Sequence, residues 1–111
     1  MSTPTATPDI LPSAQAMLQA AKLAIAQDKP IQLDYYVETG NGKAFMGEEK
    51  ETKEKMLVKS AVEYTSHIEK VYKVGEDYLV VTANSIYIAS GKIQKKLIES
   101  SSLRSGDDDE V

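Results

Sequence analysis

The pattern of apolar and polar positions divides the chain into one helical stretch, a series of strand-length pieces and two polar ends. Between Ser13 and Asp28, residues Ala14, Met17, Leu18, Ala21 and Ile25 recur at helical spacing on one face, with Leu23 on the opposite side. This predicts a helix able to touch two surfaces. Ser13 is a suitable N-cap, and Leu11 and Met17 can close over the first turn. Asp28-Lys29-Pro30 stops the helix, because the residue before a proline avoids helical backbone. The many alanines raise helix propensity and permit close backbone approach.

Beyond Pro30 the period changes to two. Ile31, Leu33, Tyr35 and Val37 alternate with Gln32, Asp34 and Tyr36, which predicts a half-exposed strand. Thr39-Gly40-Asn41-Gly42 then reads as a hairpin turn on its Asn-Gly pair, with Lys43 to Gly47 as the return strand. Glu48 to Lys55 is almost wholly charged and reads as a loop.

The stretch from Lys55 to Ala89 holds most of the β-branched and aromatic residues. Its strand-length pieces are Met56–Lys59, His67–Val74, Tyr78–Thr82 and Ser85–Ala89. They are separated by an irregular link at Ser60–Ser66, a tight turn at Gly75-Glu76-Asp77 and a second turn at Ala83-Asn84. Ile68, Tyr72 and Val74 form one inward set, and Ile86 and Ile88 another. Ser90-Gly91 breaks the run, and Ile93 to Ile98 adds an apolar edge element. Lys92, Lys95 and Lys96 on it discourage pairing with another strand.

These elements predict a mainly β fold with one N-terminal helix. The strands form a small antiparallel meander or barrel-like sheet, and the helix packs across an open end or edge. Residues 1–12 read as an extended N-terminal arm rich in Pro, Thr and Ser. Residues 13–99 read as a single helix-plus-β domain, and 100–111 as an acidic Ser/Asp-rich tail.

Length and composition narrow this picture. At 111 residues the chain is long enough for one core, and with no Trp and one Phe that core must be filled by Tyr, Ile, Val and Leu. The net charge of −4 is concentrated in Asp107, Asp108, Asp109 and Glu110. Arg104 is the single arginine, and this balance argues against nucleic-acid recognition. The absence of cysteine excludes disulfides and thiolate chemistry. No apolar run approaches the roughly 18 residues of a membrane span, and MSTPTATPD lacks the basic and apolar regions of a signal peptide. Asn41 and Asn84 are not followed by the glycosylation pattern, in keeping with an intracellular chain.

Residues able to carry chemistry are few. His67 is the only histidine, and Glu69 two residues along could share its face, but one His with carboxylates is a weak metal signature. Gly40-Asn41-Gly42-Lys43 lacks the spacing and the strand-to-helix context of a phosphate loop. Ser60, Ser66, Ser85 and Ser90 have no partnered base, and Glu48-Glu49 and Glu76-Asp77 sit in charged turns. Among the tyrosines, Tyr87 with Lys70 and Lys73 could make a base-stacking surface, although core packing explains the residues more simply. No catalytic residue, cofactor site or metal site is assigned, and no enzymatic activity is expected.

Leu57-Val58-Lys59-Ser60, Glu63-Tyr64-Thr65-Ser66 and Asn84-Ser85-Ile86-Tyr87-Ile88 together resemble a short β-rich module of small proteins from nucleocytoplasmic large DNA viruses. The likeness covers the middle third to half of the chain and leaves out the helix and both tails. It implies a structural protein of the virion, a minor capsid protein bridging or cementing capsomers, made in the host-cell cytoplasm during assembly. Its partners would be other capsid proteins. Leu23, Tyr36 and Phe45, apolar residues not obviously needed by the core, are the expected contacts. The alternative is a small-barrel module that binds a peptide or single-stranded nucleic acid.

Overall fold

The computed structural model describes residues 11–99. The expected arm and acidic tail lie outside the described residues, apart from Leu11, Pro12 and the start of the domain. Ten elements follow in order: α1 (Ala14–Gln27), β1 (Ile31–Gln32), α2 (Tyr36–Asn41), β2 (Phe45–Glu49), β3 (Lys55–Ser60), β4 (Glu63–Tyr64), β5 (Ile68–Val74), β6 (Asp77–Thr82), β7 (Ile86–Ser90) and β8 (Gln94–Ile98). The fold is mainly β, with an N-terminal helix, as the pattern predicts.

The strands form two sheets, ordered β1-β7-β6-β5 and β4-β3-β2-β8. Neither closes into a barrel. The expected meander is present as β5-β6-β7, but β1 joins β7 in parallel, and β8 joins β2 in parallel, so both sheets are mixed. The molecule is layered instead: α1 covers one face of the first sheet, and the second sheet covers the other. Alternation along β6 and β7 feeds both cores. Leu79, Val81, Ile86 and Ile88 meet Ala16 and Ala20 of α1, while Val80 and Ala89 meet Met46 and Leu57 of the second sheet. A sheet buried on both faces has no reason to curl on itself.

The helix turns the opposite way from the one its stripe suggests. Ala16 and Ala20 are fully buried, with Met17, Leu23 and Ala24 packed beside them, whereas Leu18 and Ile25 face outward. Alanine lets the helix axis approach the sheet closely, so the small residues and not the large ones make the contact. Ser13 caps α1 as expected, its Oγ accepting from Ala16 N at 3.0 Å, and Asp28 ends it in left-handed backbone.

Two expectations fail in the segment after Pro30. The strand ends at Gln32; Leu33, Asp34 and Tyr35 lead through a turn, and Tyr36 and Val37 begin α2. Gly42, with φ 87°, ends this helix, and Ala44 N donates to Glu38 O at 2.9 Å across it. The Asn-Gly pair therefore supplies a helix C-terminus, a use of positive φ open to the same residues. Asn41 Oδ1 accepts from Lys43 N, which holds the exit.

A bulge in β5 divides the inward set read from the sequence. Ile68 pairs with Thr82 but Lys70 pairs with Val81, so Glu69 is an extra residue. Ile68 consequently joins the core between the sheets, while Tyr72 and Val74 join the core under α1.

Candidate functional site

A half-open groove of about 490 Å³ lies where α2 meets the β5–β6 turn and the end of β7. Tyr36, Val37, Gly40 and Asn41 form one wall, and Lys73, Glu76, Asp77, Ser90, Gly91 and Lys92 form the rest. Its buried polar groups are committed to holding the fold. Asp77 Oδ1 accepts from the Tyr36 hydroxyl at 2.7 Å, and Oδ2 accepts from the Ser13 backbone N–H at 3.0 Å. Ser90 Oγ accepts from Lys92 N, and Lys73 Nζ donates to Gly75 O at 2.8 Å. One carboxylate thus ties α1, α2 and β6 together.

The tyrosines show the same commitment. Burial, reinforced by the hydrogen bond to Asp77, pushes Tyr36 up to about 12. Tyr35 is raised further, by burial first and then by the nearby carboxylate of Glu63, and Tyr87 is raised by burial. Tyr35 and Tyr87 meet edge to face at 5.4 Å between ring centres, and Lys59 Nζ lies 4.5 Å from the Tyr35 ring. Tyr87 therefore does not join Lys70 and Lys73 in a stacking platform. Those lysines lie over Tyr72 and Tyr78, at 5.9 and 5.0 Å from the ring centres.

The three residues expected to contact partners are scattered. Tyr36 is buried in the core under α1, so the premise that the core can spare it does not hold. Leu23 is partly buried against the same core. Phe45 is half-buried on the outer side of the second sheet, with Lys96 Nζ 4.7 Å from its ring centre. His67 is exposed and pairs through Nδ1 with Glu54 at 3.1 Å, while Glu69 pairs with Lys29. No group of His, Asp or Glu among the described residues is arranged to hold a metal ion.

Exposed apolar side chains, Leu33 and Val62 among them, occur on several surfaces of the described residues, and two of these surfaces are α1 and β8. On α1 the side chains are Leu18 and Ile25, at 50% and 84% exposure. On β8, the outermost strand of the second sheet, Leu97 is 61% exposed between lysine side chains. The sequence contains the signal for the first surface, because alanines at 16, 20 and 24 mark a second, smaller face of the helix. The large residues of the other face mask it. No helix among the described residues is long and apolar enough to cross a membrane.

No protein-family model, curated protein or solved structure matches this chain.

Proposed function

We propose that this chain is a structural protein that works by contact, bridging neighbouring subunits in a larger assembly. The observation that carries this reading is the presence of exposed apolar side chains on opposite layers, Leu18 and Ile25 on α1 and Leu97 on β8, the last strand of the second sheet among the described residues. A bridging subunit needs two separate faces, and Leu97 places an apolar side chain on a layer away from α1. The buried carboxylate of the groove beside α2 is spent on internal hydrogen bonds, which favours adhesion over turnover.

The resemblance of the central stretch to a module of large DNA viruses makes the assembly a virus shell, and the chain a minor capsid protein. Quantitative mass spectrometry of purified particles from the encoding virus tests this. The expected result is a fixed ratio of this chain to the major shell protein after detergent washing. Absence from particles, with abundant free protein in the infected cell, would overturn it. Tight, salt-sensitive binding of an oligonucleotide would instead favour the binding-module alternative.

A further inference from the structure

We propose that the outer side of α1 joins two copies of this chain, helix against antiparallel helix, about a two-fold axis. The apolar residues turned away from the sheet are Ala14, Leu18, Ala21 and Ile25, at successive spacings of four, three and four, with exposed Lys22 beside them. That series reads the same in both directions. A second α1 laid antiparallel, with the axis passing between Gln19 and Ala20, sets Leu18 against Ala21 of the other copy. It sets Ile25 against Ala14 of the other copy. Each large side chain of this apolar series meets a small one, which allows interdigitation at close range. A surface complementary to itself is what a two-fold contact requires.

Charge selects the same occupant. Lys22 is the only charged residue of α1, and in this register it stands beside Met17 of the second copy, away from its own counterpart. The flanking polar residues are Gln15 and Gln19. An anionic lipid surface would call for several basic side chains here, and a charged protein partner would find little to recognise. Area sets the strength. A helix of 14 residues is about 21 Å long, so one such pair falls short of the roughly 800 Å² per partner of a standard interface. The dimer is therefore concentration-dependent. It goes beyond the bridging role and does not depend on it, since two copies can pair in solution whether or not they enter a particle.

The chain contains no cysteine, so introduced thiols report without background. Within one helix, positions 14 and 25 are about 16 Å apart, beyond the roughly 7 Å that a disulfide can bridge. The double variant Ala14→Cys with Ile25→Cys should therefore form a covalent dimer on mild oxidation, while either single variant remains mostly monomeric. Sedimentation equilibrium of the unmodified chain, from low micromolar to near-millimolar concentration, should show reversible dimerisation. Ile25→Glu, at a position too exposed to disturb folding, should weaken it at least tenfold, with an unchanged circular-dichroism melt. The proposal is overturned if the parent chain stays monomeric throughout, if Ile25→Glu dimerises as the parent does, or if a single-cysteine variant cross-links as readily as the double. Incorporation into particles by a chain that never dimerises would sink this proposal and leave the bridging role standing.

Discussion

The hydroxyl of Tyr36 and the carboxylate of Asp77 meet at 2.7 Å in the interior, 41 positions apart in the chain. The second oxygen of Asp77 takes the N–H of Ser13 at the start of α1. The contact therefore fixes the helix that covers the first sheet and, through it, the orientation of the outer face that carries Leu18 and Ile25.

Tyr36→Phe removes one of the two donors to this buried carboxylate while keeping the ring in the core. Leaving a buried acceptor short of a partner costs about 1–3 kcal/mol. Urea unfolding should show that loss as a lower midpoint with an unchanged slope. A change below the error of the fit would mean that water replaces the phenol, and the fastening role would be lost.

The same residue makes stability depend on alkaline pH. Its ionisation is raised from 10.0 to about 12 in the folded chain, by burial and then by Asp77. The folded state holds this proton more tightly than the unfolded state. The contribution is therefore fully present below pH 10 and is lost as pH rises towards 12. Tyr35 and Tyr87 act in the same direction. Denaturation midpoints taken across the alkaline range should fall in the parent chain and fall less steeply in Tyr36→Phe. Equal slopes would remove Tyr36 from the account.

How much of this was legible beforehand depends on how local each signal is. The start and stop of α1 follow from Ser13 and Pro30, and the β5-β6-β7 meander follows from turns marked by Gly75 and Asn84. All of these act over a few residues. The orientation of α1 depends on what the sheet offers it: a close-packed surface of Leu79, Ile86 and Ile88 selects Ala16 and Ala20 over the bulkier side. Gly42 can reach positive φ in a hairpin turn or a helix end, and the choice is made by distant contacts such as that of Tyr36 with Asp77. The bulge at Glu69 is invisible to a period-two reading. The Leu97 surface depends on a parallel pairing between β2 and β8 that no local pattern announces.

Thr39 supplies a test of how α2 is held to the sheet. It is fully buried, and its Oγ1 accepts from Ser90 N at 2.9 Å while facing the carbonyls of Tyr35 and Tyr36. Thr39→Val keeps the shape but leaves the Ser90 N–H without that acceptor, at about 1–3 kcal/mol. Thr39→Ser keeps the hydroxyl and gives up one methyl group, about 1 kcal/mol. Thermal melts should rank the serine variant above the valine variant. The reverse order would assign Thr39 to packing alone.

Lys29 makes two contacts of unequal worth. Its Nζ donates to Thr82 O at 2.8 Å and pairs with Glu69 at 3.1 Å, and the lysine side chain is 16% exposed against 56% for the glutamate. Exposed ion pairs contribute little, so Glu69→Gln should cost less than about 0.5 kcal/mol. Lys29→Met also removes the donor to a carbonyl at the end of β6, and should cost about 1–2 kcal/mol. Matching losses in chemical denaturation would mean that the ion pair, not the carbonyl contact, carries the effect.

Gly91 lines the groove beside Asp77 and Gly75 lies in the turn that leads into Asp77, yet the two should answer differently to alanine. A Cβ on Gly91 would lie 2.0 Å from Glu76 O, and 2.9 Å from the carbon of that carbonyl. Both atoms are backbone, so the β5–β6 turn or the end of β7 must move, and the cost should reach about 3 kcal/mol or more. Gly75 has φ 60° with open space around it, so Gly75→Ala pays only for left-handed backbone, about 1–2 kcal/mol. Because the displaced turn leads directly into Asp77, Gly91→Ala should also loosen the start of α1. Hydrogen exchange at Ala16 and Met17 should therefore rise in the Gly91 variant and stay near its parent value in the Gly75 variant. Equal exchange in the two would show that the turn absorbs the clash without passing it to the helix.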